Sequence, residues 1–139
     1  MRVSIIVIAL FINFSVCSQI IGDTFGAVKQ LNDESPCEVG KNLLLYCHNK
    51  DKIAYGFNSQ GHVCQITKFI YAENYRDSQR ILENKLNAIK REFNVEPLIK
   101  DGKYSFFYND SHSLLFHTIS NDKGFFLVDV EFDYDLCLK

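Results

Sequence analysis

The chain has 139 residues, with 15 Lys and Arg against 17 Asp and Glu for a formal charge of −2, and 47% of its residues are hydrophobic. Such a mild negative balance gives no electrostatic reason to bind nucleic acid or an anionic membrane surface, both of which require a concentrated basic face. Twelve Phe and seven Tyr with no Trp supply bulky side chains for a core of sheet and helix.

The first eighteen residues have the three-part layout of an export signal: Arg2, the apolar run Ile5 to Ile12, and a polar or small stretch from Asn13 to Ser18. The run is too short for a spanning helix, which needs about 20 apolar residues. Removal is therefore expected, in one of two ways. Cleavage after Ser18 leaves a mature start at Gln19, a secreted or periplasmic protein and a net charge of −3, since Arg2 departs with the leader. The other ending lipidates Cys17 and anchors the chain in an outer membrane. Phe14-Ser15-Val16-Cys17 departs from a bacterial lipid box because Val16 stands where a smaller residue is wanted. A membrane partner is expected only in that second case.

Residues 19–139 read as a single domain. Asp23-Thr24 caps a short helix with Phe25, Val28 and Leu31 at helical spacing, closed by Pro36. Three strands follow, Leu43 to Cys47, Ile53 to Phe57 and Val63 to Tyr71, separated by turn-rich Asn49-Lys50-Asp51 and Asn58-Ser59-Gln60-Gly61. After Asn74 the period changes to 3.6. Ile81, Leu82, Leu86, Ile89 and Phe93 form one stripe of a long helix that must end before Pro97. Its Arg76, Arg80, Lys85, Lys90 and Arg91 are interleaved with Asp77, Glu83 and Glu92 and read as a solvated face.

Three further strands are expected at Tyr104 to Tyr108, Leu114 to Ile119 and Phe125 to Phe132. In the last, Phe126, Val128, Val130 and Phe132 alternate with Leu127, Asp129, Glu131 and Asp133, which predicts one core face and one largely wet face. Clustered pairs such as Phe125 with Leu127, or Phe107 with Tyr108, are core by default and a sticky binding face otherwise.

A shift of 61 residues lays the second half (74–139) over the first (19–73): Pro36 falls on Pro97, and Ala27-Val28-Lys29 falls on Ala88-Ile89-Lys90. Duplication and shared patterning both produce such a match. Either way the fold class is α+β, two α-β-β-β halves with the helices on one face of an antiparallel sheet.

Outside the leader lie four cysteines, Cys37, Cys47, Cys64 and Cys137, an even set suited to two disulfides in an oxidising compartment. Three pairings are possible, and Cys137 suits a clasp tying the tail to the body. Cys47-His48 and His62-Val63-Cys64 hold the residue types of thiol catalysis or a Cys2His2 metal site. However, strand neighbours point to opposite faces, and no HExxH or CxxC knuckle occurs. Neither a metal nor a cofactor is expected. Asp129, Glu131 and Asp133 could serve acid–base hydrolysis if they faced a cleft, but read first as a solvated, aggregation-resisting edge. Asn109-Asp110-Ser111 is a glycosylation sequon in a predicted turn.

Ile21-Gly22-Asp23-Thr24 after the leader, then Val28, the Tyr55-x-Phe57 and Val63-Cys64 strands and a closing Phe125-Phe126 strand, resembles a group of small exported proteins typical of Bacteroidetes. That resemblance covers nearly the whole mature chain and implies an exported α+β domain without implying an activity. Gly22-x-Thr24-x-x-x-Val28 also resembles the helix start of the BamE/SmpA lipoproteins and the related β-lactamase-inhibitor fold, which would imply envelope assembly for a lipidated protein. The Cys17 box and the second helix-and-sheet half depart from BamE, and the tandem layout looks closer to the inhibitor type. The leading expectation is an exported, non-enzymatic module that binds a protein or a small molecule through the uncovered face of its sheet. A lipid-anchored BamE-like accessory and a small hydrolase using the acidic row are the alternatives.

Overall fold

The computed structural model describes residues 20–139; the leader and Cys17 lie outside the described residues. In chain order the elements are α1 (Phe25–Leu31), β1 (Glu38–Gly40), β2 (Leu43–His48), β3 (Asp51–Phe57), β4 (Val63–Ala72), α2 (Tyr75–Phe93), β5 (Leu98–Lys100), β6 (Lys103–Phe107), β7 (His112–Asn121), β8 (Gly124–Asp133) and α3 (Tyr134–Cys137). The strands form one sheet in the order β1-β2-β3-β4-β8-β7-β6-β5, with every pairing antiparallel. The second half thus repeats the first around the central β4–β8 pair, a roughly two-fold arrangement.

Local chemistry sets the helix ends. Thr24 caps α1, its hydroxyl accepting from the Ala27 amide at 3.3 Å. Asn74 caps α2 by accepting from the Asp77 amide at 2.9 Å. Asn94 ends α2 in the left-handed region at φ 50°, before Pro97 is reached.

Each half has one strand more than its periodicity predicts. β1 and β5 span three residues each, too few for alternation to be visible, and form the two outer edges of the sheet. Short edge strands of this kind limit pairing with another chain. They also adjust the repeat. β1 and β5 start at 38 and 98, and β2 and β6 at 43 and 103, a spacing of 60; β3 and β7 start at 51 and 112, and β4 and β8 at 63 and 124, a spacing of 61. The uniform shift of 61 placed Leu45 on Phe106, which occupy opposite faces, whereas a shift of 60 places buried Tyr46 there.

Both long elements of the helix layer lie on the same side of the sheet. Val28 of α1 packs with Leu44, Tyr46, Tyr55, Phe57, Val63 and Ile66; Leu82 of α2 packs with Phe106, Leu114, Phe116 and Leu127. Full burial of one such side chain contributes about 1.5–3 kcal/mol. Two separate cores result, one beneath each helix.

Among the described residues two disulfides are present, Cys37–Cys47 and Cys64–Cys137. The first ties the segment after α1 to β2. The second joins the start of β4 to α3, the clasp expected of Cys137. Among the described residues no helix is long and apolar enough to cross a membrane.

Candidate functional site

Strand parity divides the sheet into two faces, and the cross-strand rows show what each carries. On the helix side one row runs Tyr46, Ile53, Lys68, Asp129, Phe116, Tyr104, and the next runs Leu44, Tyr55, Ile66, Glu131, Leu114, Phe106. Apolar residues end both rows and charged ones sit at their centre. The acids of β8 therefore form a polar seam between the two cores.

This corrects the expectation of a solvated edge. β8 is a central strand; Asp129 is only 9% exposed, and Leu127, expected on the wet face, is fully buried. Alternation located two faces correctly but gave the helix layer to the wrong one. The signal that could have found it is Leu127 itself, the apolar member of the otherwise acidic set. Phe126 and Val128, read as core, lie on the opposite face.

Each acid of the seam has a partner. Lys85 of α2 reaches down to place its Nζ 3.7 Å from Asp129 Oδ2. Lys85 is thus not simply part of a solvated helix face, whereas Arg80 with Asp77 at 2.6 Å and Lys90 with Glu96 at 3.1 Å are exposed pairs. Burial pushes the Asp129 carboxyl up, against the opposing pull of Lys85 and Lys68. His112 stands between two carboxylates, Nε2 at 3.1 Å from Glu131 and Nδ1 at 3.8 Å from Asp133. Asp133 also caps α3 by accepting from the Leu136 amide at 3.0 Å. Tyr108 stacks edge-on against Phe93 and His112, and burial, then Glu131, Glu92 and Asp129, push its phenol up to about 12. The seam holds acids and a base within reach of one another, but uses them as mutual supports.

The other sheet face carries a different row. Leu45, Ala54, Thr67, Val130, Leu115, Ser105 and Leu98 cross seven strands, flanked by the triplets Phe69–Val128–His117 and Tyr71–Phe126–Ile119. Neither α1 nor α2 covers it, and α3 meets it where Tyr134 packs against Phe132, with ring centroids 4.6 Å apart. Val128 and Phe126 are buried at 4% and 8% exposure by their neighbours on this face, and Phe69, Tyr71, Val130 and Phe132 are half-exposed. Within this apolar field the His117 Nδ1 is shielded from solvent and has no partner. Burial, then Lys103, holds the imidazole below its usual range, so it is neutral at pH 7.

The remaining sequence-predicted residues are placed as follows. Both disulfides occupy the sulfurs that thiol catalysis or a zinc site would have used. His62 belongs to the β3–β4 turn, where Asn58 Oδ1 accepts from its amide, and His48 lies 3.5 Å from Glu34 at the surface. Among the described residues no group of His, Cys, Asp and Glu is arranged to hold a metal ion. Asn109 is exposed in the β6–β7 turn, its Oδ1 accepting from the Ser111 and His112 amides. Of the exposed aromatic pairs, Phe107 and Tyr108 are 54% and 41% exposed, while Leu127 is core. Gly22, Thr24 and Val28 together form a helix start: Gly22, at φ 94°, donates its amide to the Val63 carbonyl, Thr24 caps, and Val28 enters the core.

No protein-family model matches the chain, and no curated protein or solved structure matches it either.

Proposed function

We propose that this protein is an exported, non-enzymatic binding module whose uncovered sheet face receives an apolar surface of a partner protein. The observation that carries the reading is the half-exposed field of Phe69, Tyr71, Val130, Phe132, Leu115 and Ile119 on rigid central strands. Contiguous apolar surface of this kind costs free energy in water unless something covers it. Its aromatic members are the type that anchors interfaces. Two disulfides support an oxidising compartment outside the cytosol.

The test compares what the wild type, Val130→Lys and Glu83→Lys retain from the native extracellular or periplasmic fraction. A specific partner should be lost with Val130→Lys and kept with Glu83→Lys, on exposed α2. Retention by Val130→Lys would refute the reading. The competing roles give other outcomes. A BamE-like accessory would be isolated with a lipidated Cys17. A hydrolase would lose turnover when Glu131→Gln or Asp129→Asn removes its acids.

A further inference from the structure

We infer that the uncovered sheet face receives one amphipathic helix of its partner, with an apolar stripe bordered on both sides by carboxylates. This rests on the reading of that face as a docking surface and adds what docks there. The helix side of the sheet already has its layer, α1 over one half and α2 over the other. The opposite face is met by α3 at one end, where Tyr134 packs on Phe132, and the rest of it lacks the helix layer that buries an apolar sheet face in folds of this class.

The residues that border the apolar field select the occupant. One cross-strand row runs Lys52, Phe69, Val128, His117 over β3, β4, β8 and β7. By strand alternation Lys103 of β6 extends this row on the same face, where its charge acts on His117, and Lys100 stands opposite Lys103 on β5. On the other border Lys50, in the β2–β3 turn, places its Nζ 4.2 Å from the centre of the Tyr71 ring. Two lysines thus stand on each side of the field. Among the described residues none of the four forms an ion pair with a carboxylate. The acids of β8 point to the helix side, and Glu38 lies out on the edge strand β1. Asp51 and Asp101 stand in the hairpins beside the lysines, and Asp51 Oδ1 accepts from the Tyr71 amide at 2.8 Å. The border of the face is therefore basic although the chain as a whole is acidic.

The spacing fits a single helix. Sheet order runs β3-β4-β8-β7-β6, so Lys52 and Lys103 are separated by four strand spacings, or about 19 Å at 4.7–4.9 Å each. A helix with its side chains is about 10–12 Å across, which leaves about 4 Å on either flank. A lysine leaning inward meets a glutamate on the helix flank across such a gap. A second copy of the same face would set lysines against lysines. An anionic membrane is disfavoured by the −3 charge of the mature chain and by α3 at one end of the face.

The experiment uses the full mature protein and three synthetic helical peptides that share one Leu/Phe stripe and differ only in its flanking residues, which are Glu, Gln or Lys. Binding is followed by NMR shifts of the Phe69, Leu115 and Val130 amides. In low salt the Glu peptide should shift all three saturably and bind about tenfold tighter than the Gln peptide, the weight of several ion pairs at the rim. The Lys peptide should bind most weakly, and in high salt the three affinities should converge. Lys52→Glu/Lys103→Glu should invert the order, and its gain for the Lys peptide would also show that the variant is folded. Equal binding of the three peptides in low salt, with the same amides shifted, would overturn the acidic helix and leave the apolar docking face standing. No shift of these amides with any peptide would overturn both. Shifts of the same amides with phosphatidylglycerol vesicles, lost in the double variant, while the Glu peptide leaves them unmoved, would assign the face to a lipid surface and overturn the proposal.

Discussion

Removing the two disulfides one at a time should cost unequal amounts, with the larger loss at the chain terminus. Cys64–Cys137 closes a span of 73 residues and Cys37–Cys47 one of 10. Loop-closure entropy withheld from the unfolded chain then amounts to about 4.4 kcal/mol for the first and about 2.7 kcal/mol for the second. The native state should survive either change. α3 is also held by the Asn58 side chain, which donates to the Leu136 carbonyl at 2.8 Å, and by the Asp133 cap. Urea unfolding of Cys64→Ala/Cys137→Ala and Cys37→Ala/Cys47→Ala, each against the wild type, gives the two losses. The long-span variant should lose about 1.7 kcal/mol more and show the larger rise in denaturant slope, because its unfolded chain expands more. Equal losses, or a greater loss from the short span, would refute the reasoning. A peptide map joining Cys37 to Cys64 or Cys137 would refute the pairing itself.

Asp129→Asn should raise stability at pH 7, since it removes a buried carboxylate and leaves Lys85, itself 41% exposed, free to be solvated, and thermal melts check it. The sign follows from burial. The folded carboxyl titrates above its unfolded value, so the wild type loses stability as pH rises from the unfolded pKa through the folded one. The variant's advantage should therefore vanish on acidification below about pH 4, and a variant less stable than the wild type at pH 7 would contradict this. The Tyr108 phenol should ionise near pH 12, and Glu131→Gln should bring that midpoint down, both read from its ring carbon by NMR. Phe116→Ala, at 1% exposure inside the core beneath α2, should cost about 3–5 kcal/mol in the same urea assay.

α1, α2 and the six longer strands were legible because their signals are local, whereas the single turn of α3 at the tail was not predicted. Thr24 and Asn74 cap where short polar side chains precede an apolar stripe, and β2 to β4 and β6 to β8 are apolar-rich runs of five residues or more bounded by turn residues. β1 and β5 were not legible, since three residues carry no period. The side of β8 that faces the helices could not be read from β8 alone. Both of its faces are strongly patterned, and which one is covered depends on β4 and β7, whose Ile66, Ile70, Leu114 and Phe116 lie on the acidic side. Charge pointed to water for Asp129, but its partners Lys68 and Lys85 come from residues 61 and 44 positions earlier in the chain.

Hydroxyl-radical footprinting of the protein, free and saturated with the partner retained from its native fraction, tests the proposed interface most directly. Phe69, Tyr71 and Phe132 on the uncovered sheet face should be protected, while Tyr75 and Phe93 on α2 react equally in both states. Protection of Tyr75 and Phe93 with unchanged Phe69, Tyr71 and Phe132 would move the interface to the helix side and contradict the account.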